Sequence, residues 1–260
     1  MNGFQAIVLG ILEGVTEFLP VSSTAHLIVA QRLLGLSSID EFFTVVVQLG
    51  AIAGLIVSER KKIAEIIIQM YAAPRKIQSS LGFKLALATI PVLLVGFLIK
   101  HKIEALQNNF GLIAFMSIAV SIVLLLAQKM AGKMEKKPVS TANIFVMGLF
   151  QVISLIPGTS RSGITAAGGA FQGLTLSHAL EYSFLLSIPA LLAAGGYEVL
   201  KFAGNPVDTN IIVPTLVATV IAFFCSMVAI EWLRKIVRQV GFTPFVVYRF
   251  FFALMILFIK

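Results

Sequence analysis

The sequence predicts an all-α polytopic membrane protein: six transmembrane helices plus two re-entrant helical hairpins, arranged as inverted-topology repeats. Three observations lead there. Of 260 residues, 58% are hydrophobic and only 12% charged, with a mean hydropathy of +0.97, whereas a soluble domain is about a quarter charged. Six apolar segments are long enough to cross hydrocarbon, allowing a few residues of error against the ~20 typical of a span. Two further apolar regions are each cut by a proline-containing break.

In chain order, the first broken region covers about 4–35, followed by spans at 42–58, 85–99 and 110–127. Residues 128–141 read as a linker. The second broken region covers about 144–175 and is followed by spans at 182–200, 211–233 and 244–259. Its first arm, "GLFQVISLIP" (148–157), makes about 15 Å of helix, half a membrane. Broken helices at membrane depth are tolerated only where protein or a water-filled cavity surrounds them, so both regions read as hairpins. The chain is then one membrane domain, 1–260, of two halves, about 1–128 and 142–260.

Loop charge orients the spans. The loop 59–84 carries Arg60, Lys61, Lys62, Arg75, Lys76 and Lys84; 128–141 carries Lys129, Lys133, Lys136 and Lys137; Arg234, Lys235 and Arg238 follow the fifth span. The intervening loops, 100–109 and 201–210, hold only Lys100, Lys102 and Lys201. Three basic loops on one side is the positive-inside pattern. It places both termini outside, with the first hairpin entering from outside and the second from inside, as an inverted duplication requires. Aligning Pro20 with Pro157 sets "LPVSSTA" over "IPGTSRS" and Ser23 on Ser160. The net charge of +8 is spread over short loops, so nucleic acid is not the expected partner. The N-terminus lacks a basic region and cleavage site of the secretory kind, so no removal is expected. The one cysteine, Cys225, reads as a buried small hydrophobe with no disulfide partner.

The chemistry lies in the breaks. In "LEGVTEFLPVSSTAH" (12–26), Glu13 and Glu17 stand four apart on one helix face. Each costs about 2.5–3.5 kcal/mol at the centre of a span on insertion scales. An interfacial helix would keep both in water. Against that reading, polar groups continue through the break as Thr16, Ser22, Ser23, Thr24 and His26. Two carboxylates one turn apart suit a hard divalent cation, with water and substrate phosphate completing its shell. His26 is within reach of the hydroxyls as general base or acid. The second break, "PGTSRSGIT" (157–165), is an anion site in pattern. Helix-N-terminal amides, small hydroxyls and the fork of Arg161 all favour phosphate, although Arg161 would equally cap a helix or pair with a glutamate. Of the remaining ionisable groups, Glu41, His178 and Glu181 read as interfacial. Glu198 and Glu231 read as snorkelling from span ends, and His101 as solvated. Arg249 lies six residues into the last span and needs a carboxylate or carbonyl partner.

These two motifs, with "FTVVVQLGAI", "EYSFLLSIP" and "FTPFVVYRF", closely resemble the bacterial undecaprenyl pyrophosphate phosphatase, or bacitracin-resistance, family over nearly the whole chain. The resemblance implies a plasma-membrane enzyme, its site open to the outer face, that hydrolyses a C55 polyprenyl diphosphate to the monophosphate carrier and inorganic phosphate. Such recycling serves cell-wall polymer synthesis and implies resistance to bacitracin, which competes for the diphosphate. By position, Glu13 and Glu17 match the acidic motif linked to Mg²⁺ or Ca²⁺. Ser23 and His26 match that motif's serine and histidine, and Ser160, Arg161, Ser162 and Thr165 match the phosphate-binding motif. Gly158, Thr159, Ser22 and Thr24 complete the expected phosphate contacts. A homodimer is compatible with all of this.

The expected chemistry has Arg161 and the amides after Pro157 holding the diphosphate. The nucleophile is either Ser23, activated by His26, or a water activated by Glu17 or His26. The rival class is a secondary transporter or flippase for an anionic lipid, because inverted repeats with broken helices mark that class too. A transporter has no need of a nucleophile and base beside its anion site.

Overall fold

A computed structural model describes residues 1–36, 39–72, 74–132, 139–202 and 209–258, without the Lys76 side chain. Lys133, Lys136 and Lys137 of the expected basic linker, most of the 201–210 loop, and the end of the sixth expected span lie outside the described residues. Among the described residues five helices are long and apolar enough to cross a membrane: α3 (Glu41–Ser58), α5 (Leu81–Leu98), α7 (Phe110–Met130), α10 (Leu176–Phe202) and α11 (Thr209–Val240). The protein is a polytopic membrane protein. The sixth expected span is α12 (Thr243–Phe258), apolar but 16 residues long.

Two helices that the periodicity of the spans does not announce occupy the connections, α4 (Arg60–Ala72) and α6 (Lys100–Leu106). Both are charged and end within two turns or so of a span. Cys225 is half-buried, not buried as expected. Its Cβ lies over Gly14 of the first broken region.

Each broken region is a helical pair. The first joins α1 (Gly3–Thr16) to α2 (Ser23–Leu33), and the second joins α8 (Thr141–Ile153) to α9 (Arg161–Phe171). At 1.5 Å per residue, arms of this length reach only about 15–21 Å. Capping boxes open both pairs, Asn2 with Gln5 and Ser140 with Asn143, which satisfies the orphan amides of a helix starting beside lipid. Polar side chains close both bases. Gln5 Nε2 donates to the Leu34 carbonyl at 3.1 Å. Asn143 and Gln172 exchange two hydrogen bonds of 3.0 Å.

The pairs are held against spans by close backbone approach. Gly10 and Gly14 of α1 lie on Ala218 and Ala222 of α11, where an added Cβ would sit 2.6 Å from either carbonyl oxygen. Lipid supplies no hydrophobic drive between helices, so small residues and van der Waals contact carry such seams. In the same manner α8 lies along α5. Between them α7 packs on α12 and α9, while α3 packs on α10 and α11. The two hairpin turns therefore meet in the middle of the bundle, Pro20 against Gly163.

Ion pairs gather at the two ends of the spans. Glu59 pairs with Arg234, and Lys62 with Glu181 at 3.3 Å. At the opposite ends Lys100 pairs with Glu198, and Lys201 with Glu41 at 3.3 Å. Glu41, Glu181 and Glu198 thus sit at span termini, each with a lysine partner.

Candidate active site

Both hairpin turns end on a serine in the left-handed region, Ser22 with φ 74° and Ser160 with φ 73°. Such a conformation costs about 1–3 kcal/mol in a non-glycine residue and persists only where surroundings enforce it. Here it turns the chain abruptly into the N-termini of α2 and α9. The paired caps are Ser22 and Ser160, so the structural register is one residue from the pairing suggested by the prolines. Ser23 corresponds to Arg161, not to Ser160. The proline alignment misses this because the chirality of the two caps, not the prolines, sets where each second helix begins.

Glu17 follows α1 directly, and both it and Glu13 are buried, 7% and 2% exposed. Three elements converge on the Glu17 carboxylate. Ser23 Oγ, at the start of α2, donates to Oε2 at 2.5 Å. Arg161 Nη1, at the start of α9, donates to Oε1 at 3.2 Å, and Gln48 Nε2 of α3 does so at 3.4 Å. The two hairpins thus share one carboxylate, with a candidate nucleophile on one side and a guanidinium on the other.

His26 is placed elsewhere. Its Nδ1 lies 2.7 Å from the Ser22 carbonyl and its Nε2 2.6 Å from the Tyr248 hydroxyl. A carbonyl only accepts, so Nδ1 carries the proton and Nε2 accepts from Tyr248. The ring stacks on Phe252 of α12 at 4.0 Å. Both ring nitrogens are therefore occupied, and the expected His26–Ser23 partnership is replaced by Glu17–Ser23. On the first turn of α2 the two side chains diverge, one toward α1 and the other toward α12.

A cavity opens over this junction. Glu17, Ser22, Ser23 and Thr24 line it from the first hairpin, and residues 154–161, including Gly158, Thr159, Ser160 and Arg161, from the second. Ile103 and Gln107, in and just after α6, border it at the end of the bundle where Lys100 and Lys201 lie. Gly158 needs its lack of a side chain: φ is 91°, and a Cβ would sit 2.6 Å from the Ile113 carbonyl. Ser160 Oγ donates to the Leu19 carbonyl at 3.2 Å, stitching the turns together. Glu13, His26, Ser162 and Thr165 do not line the cavity. Ser162 uses its carbonyl to accept from Ser183 Oγ at 3.0 Å. Thr165 is fully buried, its hydroxyl without a hydrogen-bond partner among the described residues.

The donor set suits a hard cation. Glu13 Oε2 is buried with no hydrogen-bond partner among the described residues, one turn from the Glu17 carboxylate. Such an oxygen is costly unless a cation or proton reaches it. Among the described residues no third carboxylate, histidine or cysteine joins them as a metal cluster, so further ligands would come from water or substrate oxygens.

A family model described as "Bacitracin resistance protein BacA" matches residues 6–255. The chain belongs to this family. Family members similar to it include a protein named undecaprenyl-diphosphatase from Prosthecochloris aestuarii, 36% identical over 99% of this chain and 96% of its own. Another of that name, from Corynebacterium glutamicum, is 38% identical over 94% of this chain and 86% of its own. A third, from Streptococcus gordonii, is 36% identical over 94% and 91%.

Sequence reasoning missed two side chains at this junction, Gln48 and Tyr248. Gln48 stands inside an apolar run, and an amide there was the available signal. Tyr248 is set on His26 by tertiary packing, which no local sequence signal encodes.

Proposed function

We propose that the chain hydrolyses undecaprenyl diphosphate to undecaprenyl phosphate and inorganic phosphate, recycling the carrier lipid for wall polymers. Ser23 Oγ on the Glu17 carboxylate, with Arg161 of the opposite hairpin on that same carboxylate, is the observation that carries this reading. The names of the relatives support it.

In this reading the terminal phosphate enters the cavity and draws Arg161 from Glu17 onto its own oxygens, in the bidentate geometry guanidinium favours. Amides at the α9 N-terminus and the Ser160 and Thr159 region hold it further. Glu17, released from the Arg161 ion pair, takes the Ser23 proton through Oε2 as Oγ attacks the terminal phosphorus. The bond from that phosphorus to the bridging oxygen breaks, and undecaprenyl phosphate leaves with the proton that Glu17 passes to its departing oxygen, which returns Glu17 to the carboxylate. Water then attacks the phosphoserine with Glu17 as base, releasing inorganic phosphate and restoring Ser23. Glu13 and Glu17 would hold Mg²⁺ or Ca²⁺, which when bound offsets charge on the phosphate oxygens. His26, with Tyr248 and Ser22, positions the start of α2.

The finer topology follows as part of the same proposal: six crossings with α12 as the last, and two re-entrant hairpins of opposite entry. The cavity mouth borders α6, on the side that the sparse positive charge of the 100–109 loop assigns to the outside. A diphosphate bound there would be withheld from bacitracin only by being hydrolysed, the physical link between turnover and resistance. The test is phosphate release from a C15 or C55 prenyl diphosphate by detergent-purified protein, with and without EDTA. EDTA-sensitive release, with a phosphoserine trapped at residue 23 by acid quench, is expected. Folded protein that releases none sinks the proposal.

A further inference from the structure

Arg249 is the largest fully buried side chain among the described residues, with no exposed surface. A guanidinium in such a place must find donors' partners or be costly. Four hydrogen bonds hold it, all to backbone carbonyls. Nη1 donates to the Pro20 carbonyl at 3.1 Å, and Nη2 to the Gly158 carbonyl at 2.8 Å. Nη2 also donates to Met116 at 3.3 Å, and Nε to Ser117 at 3.2 Å. Pro20 belongs to the first hairpin turn, Gly158 to the second, and Met116 and Ser117 to the middle of α7. One planar group on α12 is therefore bonded to both turns and to a spanning helix.

We propose that Arg249 is a positioning residue that sets the distance and angle between the two hairpin turns, and so between Ser23 and the Arg161 anion site. The inference rests on the phosphatase reading, and three features of the geometry support it. Arg249 does not line the cavity, so it acts through the turns and not on the substrate. Both turns hold a left-handed serine two residues beyond the bonded carbonyl, Ser22 after Pro20 and Ser160 after Gly158. A conformation of that kind needs an outside constraint, and the carbonyl bonds supply one to each turn alike. The neighbouring residue of α12, Tyr248, holds His26 on α2. The same helical turn thus secures the segment leading into Ser23.

A clamp of this type has a kinetic signature. Ground-state binding of the diphosphate can be met by the second hairpin alone, while the transition state needs both hairpins in register. Loss of the clamp therefore falls on kcat and spares KM. The lysine ammonium is a point charge that cannot present a fork to two turns. Phosphate release and hydrogen exchange are to be measured on full-length wild type and Arg249→Lys in the same detergent, per folded protein. Arg249→Lys is expected to lower kcat about 100-fold, as an ångström of misplacement does, with KM within about 3-fold. Amides of residues 18–23 and 156–162 should exchange faster together. A kcat within about 3-fold of wild type overturns the proposal, as does exchange that loosens only one turn. Arg249→Gln, which keeps two donors, repeats both readouts if the lysine variant does not fold; failure of both to fold makes Arg249 a stability residue alone and also overturns it. Wild type that releases no phosphate defeats the phosphatase reading instead, and the exchange result still decides the clamp.

Discussion

The first hairpin runs from the Asn2 cap through α1 to α2, the second from the Ser140 cap through α8 to α9. Residues 138 positions apart do the same backbone work in each. Asn2 and Ser140 cap, Gln5 and Asn143 complete the capping boxes, and Ser22 and Ser160 take the left-handed turn. Even the hydroxyls of Thr16 and Ser154 fold back alike, onto the carbonyls of Leu12 and Gln151. The side chains that face chemistry differ at the same positions: Glu13 against Gln151, Glu17 against Leu155, Ser23 against Arg161, His26 against Ile164. One hairpin carries acid and hydroxyl, the other a cation and amides. Similar backbone geometry brings two helix N-termini to one point, and in the proposed reaction the few side chains that differ hold a phosphate on one side and attack it from the other.

The difference can be broken most severely at Glu17, where both hairpins meet. Glu17→Gln keeps shape but removes the base for Ser23 and one of two candidate cation ligands. It should lower phosphate release about 1,000-fold or more, in line with the combined loss of base and charge stabilisation. Release within 10-fold of wild type would place the base elsewhere. Next comes the position pair Ser23 and Arg161. Arg161→Lys keeps charge and loses the fork, so KM for the prenyl diphosphate should rise about 10- to 100-fold, a bidentate contact being worth roughly that. Ser23→Ala should instead abolish phosphoserine and cut kcat with little change in KM. Equal effects on KM from both would mean that the two hairpins do not divide the labour.

A smaller effect is expected behind the first hairpin. Tyr248→Phe removes one hydrogen bond to His26 and keeps the ring stack, a loss of about 0.5–1.5 kcal/mol in positioning. Turnover should fall only a few-fold. Because Glu17 and not His26 touches Ser23, the pH profile of kcat should keep its shape. A shifted limb in that profile would restore His26 to the role of base.

How much of this the sequence discloses depends on the range of the interaction. The five long spans and the two broken regions are legible because lipid enforces length and apolarity locally. Glu13, Glu17 and the run Ser22–Thr24 stand out because polar groups at depth are costly. Arg249 stands out for the same reason, yet its carbonyl partners lie 91 to 229 positions away in the chain, and no local pattern encodes them. The Ser23–His26 pairing looked natural from spacing, but rotamer direction on the first turn of α2 sends the two side chains apart. Helices α4 and α6 escaped because their charged faces carry no hydrophobic-length signal. The one-residue error in hairpin register has the same origin as the hairpin's function: positive φ at a serine cannot be read from a sequence that usually reserves it for glycine.

The comparison makes its finest distinction at position 151. Gln151 occupies the place of Glu13, is fully buried, and leaves both its amide nitrogen and oxygen without a hydrogen-bond partner among the described residues. If the second hairpin has no acid–base role, that amide is a remnant of the duplicated polar position and only costs stability. Gln151→Met preserves length and removes the unpaired groups, each worth about 1–3 kcal/mol when buried. The melting temperature in detergent should rise by about 2–4 °C per kcal/mol recovered, for a chain of this size. Phosphate release should stay within about 2-fold, since Gln151 does not line the cavity, whereas Glu13→Gln on the other hairpin should be severely impaired, its cation site halved. A Gln151→Met protein that melts lower or turns over much more slowly would show the amide to be satisfied through a buried water, and the second hairpin to carry more of the polar machinery than its side chains suggest.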